Sequence, residues 1–292
     1  MIAQSLSRAR TFSSLVKLSH TIFALPFAAA AVALSTLRPH TPLTVGRVVL
    51  MLVCMVTART AAMAYNRYLD RDIDAENPRT KDREVPAGIV SPGAALGLTI
   101  GSSVAFVAAA VALGPWPGLL SVPVLVVLLG YSWTKRFTWA AHLVLGLALA
   151  LAPGGAWIAM GCEPEPAIFA LMLAVLTWVG GFDVLYSLQD ESFDRAHGLR
   201  SIPARFGTFG AVVISGALHV VTLAALVLCG LWLGRGASYF AGTALVGALL
   251  VYEHGLVGRG NLEKIDRAFF DINGYLSCAF FALTALDTWL SS

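Results

Sequence analysis

Charge is what this sequence has least of. Only 13% of its 292 residues are Asp, Glu, Lys or Arg, against roughly 25% in a soluble globular chain. That shortage excludes an ordinary water-soluble domain. Alternation of apolar and polar residues is lacking too, and with it the pattern of a membrane β-barrel. Cysteine is sparse: Cys54, Cys162, Cys229 and Cys278 show no CxxC spacing and lie mostly inside apolar runs. They read as small buried hydrophobes and say little about redox compartment.

What is present is apolar length. Hydrophobic residues make up 57% of the chain and the mean hydropathy is +0.74. Nearly every apolar run is long enough for a helix to cross a hydrocarbon core, which takes about 20 residues. Hydropathy places nine spans near 14–37, 44–69, 92–113, 117–133, 139–160, 166–189, 207–233, 237–256 and 268–290. The first follows Arg8, Arg10 and Lys17 like a signal peptide, but its apolar part is long and eight spans follow, so it reads as a retained helix. The fold class is therefore all-α, a polytopic membrane protein of about nine helices. No soluble domain is left over, and residues 1–292 read as one integral-membrane domain.

The few charges are unevenly distributed. Loops joining even to odd spans hold Arg71, Arg79, Lys81, Arg83, Lys135, Arg136, Arg195, Arg200, Arg205, Arg259, Lys264 and Arg267, and the basic N-terminus shares that face. The other face has Arg38, Arg47, Arg235 and the acidic loop "GCEPEPA". Positive residues favour the cytoplasmic side, which predicts a multi-pass protein of the cytoplasmic membrane with its longest polar loops, 70–91 and 190–206, facing the cytoplasm.

Those loops carry the acid. Asn66, Asp70 and Asp74 recur every four residues, and so do Tyr186, Asp190 and Asp194. Residues four apart share a helix face, so each set predicts a stripe of oxygen ligands, one in each half of the chain. Several carboxylates in a partly apolar cavity repel one another unless a cation joins them. Mg²⁺ answers that need through a few carboxylates, water and substrate phosphate. The following loops add Arg79, Lys81, Arg83, Arg195 and Arg200, cations suited to a diphosphate. A calcium loop starting at Asp70 is rejected, because its sixth position is Ala75 and its twelfth Lys81. Read blandly, such loops are topology signals, a reading that two clusters at matched spacing weaken.

Between the clusters, "YSWTK" puts Tyr131 and Lys135 on one expected helix face, although Lys135 and Arg136 also suit positive-inside anchors. Arg59 lies two turns deeper than Asn66, and Asp183 two turns before Asp190. An intramembrane arginine marks a functional cavity or a buried pair, and an Arg59–Asp183 pair is the structural alternative.

At these residues the chain resembles the UbiA superfamily of intramembrane prenyltransferases, over nearly its whole length. "RTAAMAYNRYLDRDIDAENPRTKDREVPAG" is similar to the family's first Asp-rich motif (residues 66–88 at its core), "DVLYSLQDESFDRAHGLRSIPARFG" to its second (183–203), and "YSWTK" to its Tyr-x-x-x-Lys element. The resemblance implies nine helices around a central cavity. It implies that Asn66, Asp70, Asp74, Asp190 and Asp194 hold Mg²⁺ at a polyprenyl diphosphate, with the four aspartates as the catalytic set. By the same resemblance Lys81, Arg83, Tyr131, Lys135 and Arg200 grip the diphosphate, Arg59 faces the aromatic acid acceptor or the diphosphate, and Asp183 and Tyr186 are placed with the acceptor. Many members have Asn-Asp where this chain has Asn66-Arg67, which removes any ligand role implied at position 67.

The implied chemistry is ionisation of an allylic diphosphate as charge on its leaving group is neutralised, followed by attack of an electron-rich aromatic carbon. A dry cavity protects the allylic cation, and a bilayer wall admits the prenyl tail; no nucleic-acid partner is expected. Phe23, Phe27, Trp157, Trp178 and Phe182 are candidates for an aromatic lining, or ordinary packing. "VKLSHTIFALPFA" and "VLGLALALAPGGAWIA" resemble the 4-hydroxybenzoate polyprenyltransferase branch of respiratory quinone synthesis. Its relatives on the futalosine route to menaquinone use 1,4-dihydroxy-6-naphthoate, and the two acceptors stay open here. His20 reads as a hydrogen-bonded helix histidine or an acceptor contact. An ion-coupled transporter would need acids near mid-membrane, whereas most lie at the cytoplasmic ends. The motif of CDP-alcohol phosphotransferases is absent from the sequence.

Overall fold

A computed structural model describes residues 24–257 and 265–291. Among these residues every regular element is helical. We number the α-helices in chain order: α1 Ala24–Ser35, α2 Val45–Leu69, α3 Arg71–Glu76, α4 Pro92–Leu113, α5 Pro115–Gly130, α6 Ala141–Ala159, α7 Pro166–Tyr186, α8 Glu191–Ala196, α9 Ile202–Trp232, α10 Ala237–Val257 and α11 Ile265–Leu290. Two 3₁₀ turns, Tyr131–Arg136 and Ser187–Asp190, complete the set.

Local chemistry sets the helix starts. Thr44, Ser91 and Ser201 each turn a side-chain oxygen onto a first-turn amide, and proline sits at the first or second position of α4, α5, α7 and α9. These are the residues that satisfy or dispense with the orphan donors of a helix N-terminus. Seven described helices are long and apolar enough to cross a membrane. The count of nine is not reached among described residues. The first expected span survives as the twelve residues of α1, and the last coincides with α11. Residues 14–23 of the first span, with His20 and Phe23, lie outside the described residues, as do Arg259 and Lys264.

The described chain divides into two bodies. In Thr44–Trp133, helices α2, α4 and α5 pack pairwise, and Val85 and Val90 pin the loop after α3 onto Ala64 and Ala95. The second body joins Ile22–Leu43 to Thr134–Ser292. There the contacts run α1–α6–α7–α9–α10–α11 and back to α1, a closed ring in which α7 also touches α1 and α11. Close packing at α7 depends on glycine. A Cβ on Gly146 of α6 would stand 2.2 Å from the Leu176 carbonyl oxygen, a clash with backbone that cannot move aside.

The expected aromatic lining is corrected here. Phe27, Trp157, Trp178 and Phe182 are sealed in the second body's core, with Trp178 5.0 Å from Phe27 and 5.2 Å from Phe182 between ring centroids. Side chains without solvent-sized space beside them are packing, not the wall of a cavity. The cysteines are free; Cys162 and Cys229 are buried, Cys54 is half-buried and Cys278 exposed. Burial raises the pKa of the Cys162 thiol, in the turn after α6.

Candidate active site

Both Asp-rich segments share one backbone device. At Asp70 the helix α2 ends with φ −91° and ψ 4°, and the six-residue α3 begins. At Asp190 the 3₁₀ turn after α7 ends with φ −100° and ψ 1°, and the six-residue α8 begins. Each kink turns an aspartate out of a membrane helix and delivers a second one, Asp74 or Asp194, in the first turn of the short helix. Both of these are buried, at 6% and 2% exposure. Carboxylates in a first helical turn are favoured by the amide dipoles there.

In the first segment Asn66 is the organiser. Its Nδ2 donates to Asp70 Oδ2 at 2.8 Å and to Ser132 Oγ at 3.3 Å, while its Oδ1 accepts from Arg67 Nη1 at 3.4 Å. Tyr131 hydrogen-bonds Ser132 and stands within electrostatic reach of Asp70, Arg67 and Arg59. Asp74 is engaged from outside: Arg83 Nη1 lies 2.8 Å from both of its carboxylate oxygens. The loop that carries Arg83 is built of overlapping turns, with Thr80 N and Lys81 N on the Asn77 carbonyl and Arg83 N on that of Thr80. Lys81 itself is exposed. Arg67, 2% exposed, lies 3.8 Å from Glu84 through Nε. It is an internal cation.

The second segment is wired differently. Asp190 is 5% exposed. Asp194 meets the Ser201 hydroxyl and feels Lys135 and Asp190, yet its Oδ2 is buried with no hydrogen-bond partner. The arginines turn to structure: Arg195 pairs with Glu191 at 2.9 Å, and Arg200 donates to the Phe137 carbonyl at 2.7 Å while its amide reaches the Lys135 carbonyl. Gly198, at φ 67°, lets the chain reverse so that Leu199 N reaches the Asp194 carbonyl. Tyr186 ends α7, half-buried against a core cluster that includes Leu188 and Ile202.

Two expected helix faces are corrected. Tyr186, Asp190 and Asp194 do not form a continuous α-helical stripe, because residues 187–190 wind as a 3₁₀ turn. Tyr131 and Lys135 likewise sit in a 3₁₀ turn, where three residues per turn place position i above i+3 and not i+4. Serine and aspartate beside the helix ends compete for backbone partners and tighten the last turn.

Sequence reasoning missed His142. Its Nδ1 lies 2.6 Å from Asp183 Oδ2, and its Nε2 accepts from Ile202 N at 3.3 Å. The partner of Asp183 within its own body is thus this histidine. The signal was faint, a lone polar residue at the start of α6.

The family implies Mg²⁺, and the donor set fits it. Each segment offers two aspartates, and the described residues assemble no group of three or more His, Cys, Asp or Glu. An ion that takes few carboxylates and completes its shell from water and phosphate suits that supply, and the buried Asp194 Oδ2, without a hydrogen-bond partner, is an acceptor that such an ion can meet.

Comparison with known proteins bears on the family and the fold. The UbiA prenyltransferase family profile matches residues 24–282. The 4-hydroxybenzoate octaprenyltransferases of Azoarcus sp. (strain BH72) and Vibrio cholerae are each 31% identical, over 82% and 79% of this chain and 83% and 81% of theirs. A UbiA homolog from Aeropyrum pernix K1, solved in the apo form, superposes with a TM-score of 0.83 at 34% identity, over 92% of this chain and 98% of that one. A UbiA homolog from Archaeoglobus fulgidus bound to GPP and Mg²⁺ shares the fold at a TM-score of 0.70 and 19% identity, over 96% of this chain and 99% of that one. The chain belongs to the UbiA prenyltransferase family.

Proposed function

We propose that this prenyltransferase moves a polyprenyl group from its diphosphate to 4-hydroxybenzoate in respiratory quinone synthesis, with Mg²⁺, as one catalytic domain over residues 1–292. The observation that carries the reading is the repeated kink, which twice delivers an exit aspartate and a buried aspartate beside basic loops. The names of the relatives supply the acceptor.

Asn66, Asp70, Asp74, Asp190 and Asp194 hold the ion. Held by these residues, Mg²⁺ would supply positive charge opposite the departing diphosphate. Lys81, Arg83, Tyr131, Lys135 and Arg200 donate to the diphosphate oxygens, which lowers the barrier because the donors strengthen their hold as that charge grows. Arg59 pairs with the acceptor carboxylate, with Asp183 and Tyr186 facing its ring. Apolar helices keep water from the allylic cation, and lipid takes the prenyl tail. The distribution of Lys and Arg supports a cytoplasmic-membrane location with both Asp segments on the cytoplasmic side.

Purified protein in detergent, given Mg²⁺, geranyl diphosphate and either 4-hydroxybenzoate or 1,4-dihydroxy-6-naphthoate, tests this by product mass. Prenylated hydroxybenzoate, abolished by EDTA, is expected. Prenylated naphthoate alone would move the protein to a menaquinone route, and product that persists in EDTA would end the metal reading.

A further inference from the structure

We propose that His142 is a positioning residue that holds the Asp183 carboxylate as the acceptor of the aromatic ring proton, an inference that rests on the prenyl-transfer reading above. The reaction requires such an acceptor. The bond between the allylic carbon and the diphosphate oxygen breaks, and diphosphate leaves with the electron pair. A ring π pair forms the new carbon–carbon bond. The substituted ring carbon then loses its hydrogen as a proton, and the C–H pair restores aromaticity. Atoms and electrons balance once a base takes that proton. The aspartates of the two kinks are poor candidates, because a carboxylate committed to a cation has little basicity left for carbon.

Asp183 is placed otherwise. It stands on α7, one turn before Tyr186 and on the same face. Three residues of α-helix and four of 3₁₀ separate it from Asp190, about 12 Å of axial rise, which is room for a diphosphate and one aromatic ring. Among the described residues of the second body its partner at hydrogen-bond distance is His142, through Oδ2 at 2.6 Å. The side chain keeps 21% exposure, so a carboxylate edge stays open.

The histidine is fixed from two sides. Its ring is fully buried. Nε2 accepts from the Ile202 amide at 3.3 Å, one of the first-turn donors of α9 that no helical carbonyl can satisfy. A nitrogen that accepts carries no proton, so the ring's single proton is on Nδ1 and points at Asp183. The imidazole is therefore a neutral donor that orients the carboxylate and leaves it negative. Asp74 shows the contrast, since a guanidinium reaches both of its oxygens. The Ile202 amide sets the tautomer, the tautomer sets the carboxylate, and the carboxylate is aimed by α7.

The test is a kinetic isotope effect with ring-deuterated acceptor, using both 4-hydroxybenzoate and the naphthoate. In the wild-type enzyme proton loss follows a slower ionisation, and the effect is near unity. Asp183→Asn is expected to lower kcat roughly a hundredfold with the isotope effect well above unity, while KM for geranyl diphosphate stays put. His142→Asn keeps an N–H at the Nδ1 position, whereas His142→Gln moves it to the Nε2 position. The glutamine variant should therefore lose more kcat, roughly tenfold, and show the larger isotope effect. A purely structural histidine would leave the isotope effect at unity in both. Unit isotope effect in Asp183→Asn, or equal effects in the two His142 variants, overturns the proposal; if His142→Gln does not stay monodisperse in detergent, Asp183→Asn decides. Wild-type enzyme that prenylates neither acceptor overturns the underlying reading instead.

Discussion

The segment Asn66–Arg83 and the segment Asp183–Arg200 share a kink but not a charge balance. In the first, Asp74 meets Arg83 at 2.8 Å through both oxygens, and Asp70 takes a hydrogen bond from Asn66. In the second, Asp194 is buried with one oxygen unpartnered and Asp190 among its charged neighbours, while Arg195 and Arg200 are occupied with Glu191 and the Phe137 carbonyl. The buried aspartate of one segment is closed by its own arginine, and that of the other, Asp194, keeps one oxygen without a hydrogen bond. Burial makes the difference matter, because an uncompensated carboxylate away from water is costly. The repeat thus preserves the kink and changes what surrounds the buried aspartate, a difference that predicts a larger response to an added cation in the second segment.

The largest expected effects test the shared part. Asp70→Asn and Asp190→Asn each keep the side-chain shape and remove the charge at a kink. Each should lower kcat roughly a thousandfold, measured as product formed per minute by protein that elutes as a monodisperse peak. If only one falls, the two kinks are not equivalent and the repeat is an accident of spacing.

Next come stability changes of opposite sign. In metal-free protein, Asp74→Asn strands Arg83 and should cost about 2 kcal/mol, whereas Asp194→Asn removes a buried charge that desolvation disfavours and that has one oxygen without a hydrogen bond, and should gain about 1 kcal/mol. Thermal unfolding in detergent with EDTA reads both. Adding Mg²⁺ should raise the wild-type midpoint, since a ligand that binds only the folded state stabilises it, and should do so much less in Asp194→Asn. Equal signs for the two variants would erase the difference between the segments.

Much of this was legible in the sequence, and the gaps have physical causes. Long apolar runs fixed the helices α2, α4 and α10 to within a residue or so, since little but helix satisfies a backbone in lipid. The span expected from 207 starts where Gly207, at φ 72° and ψ 174°, breaks the helical path. What hydropathy left out is the short helical stretch before that kink, which Ser201 caps from Ile202 onward. Spacing found every aspartate of the two kinks but assumed a straight α-helix through both, and 3₁₀ winding at 131–136 and 187–190 is decided by local side-chain hydrogen bonds that periodicity does not register. His142 was invisible because its role depends on two residues, Asp183 and Ile202, that are 41 and 60 positions away. Aromatic residues in a span read alike whether they pack or line a cavity, and only burial separated them.

The smallest expected effect sharpens the comparison most cheaply. Arg83 and Arg195 both pair with an acid in a loop after a kink, yet the pairs differ in kind. Arg83 closes on a buried carboxylate, whereas Arg195 is about half exposed and meets Glu191 as an i,i+4 pair on the surface of α8. Screening by water reduces such a pair to about 0.3 kcal/mol. Arg195→Ala should therefore leave the unfolding midpoint within a degree or so of wild type, since about 1 kcal/mol moves a domain of this size by only a few degrees. Raising the salt concentration should leave that small difference smaller still. A loss as large as that of Asp74→Asn would mean that the second segment, too, depends on an internal arginine, and the case for its larger response to an added cation would go with it.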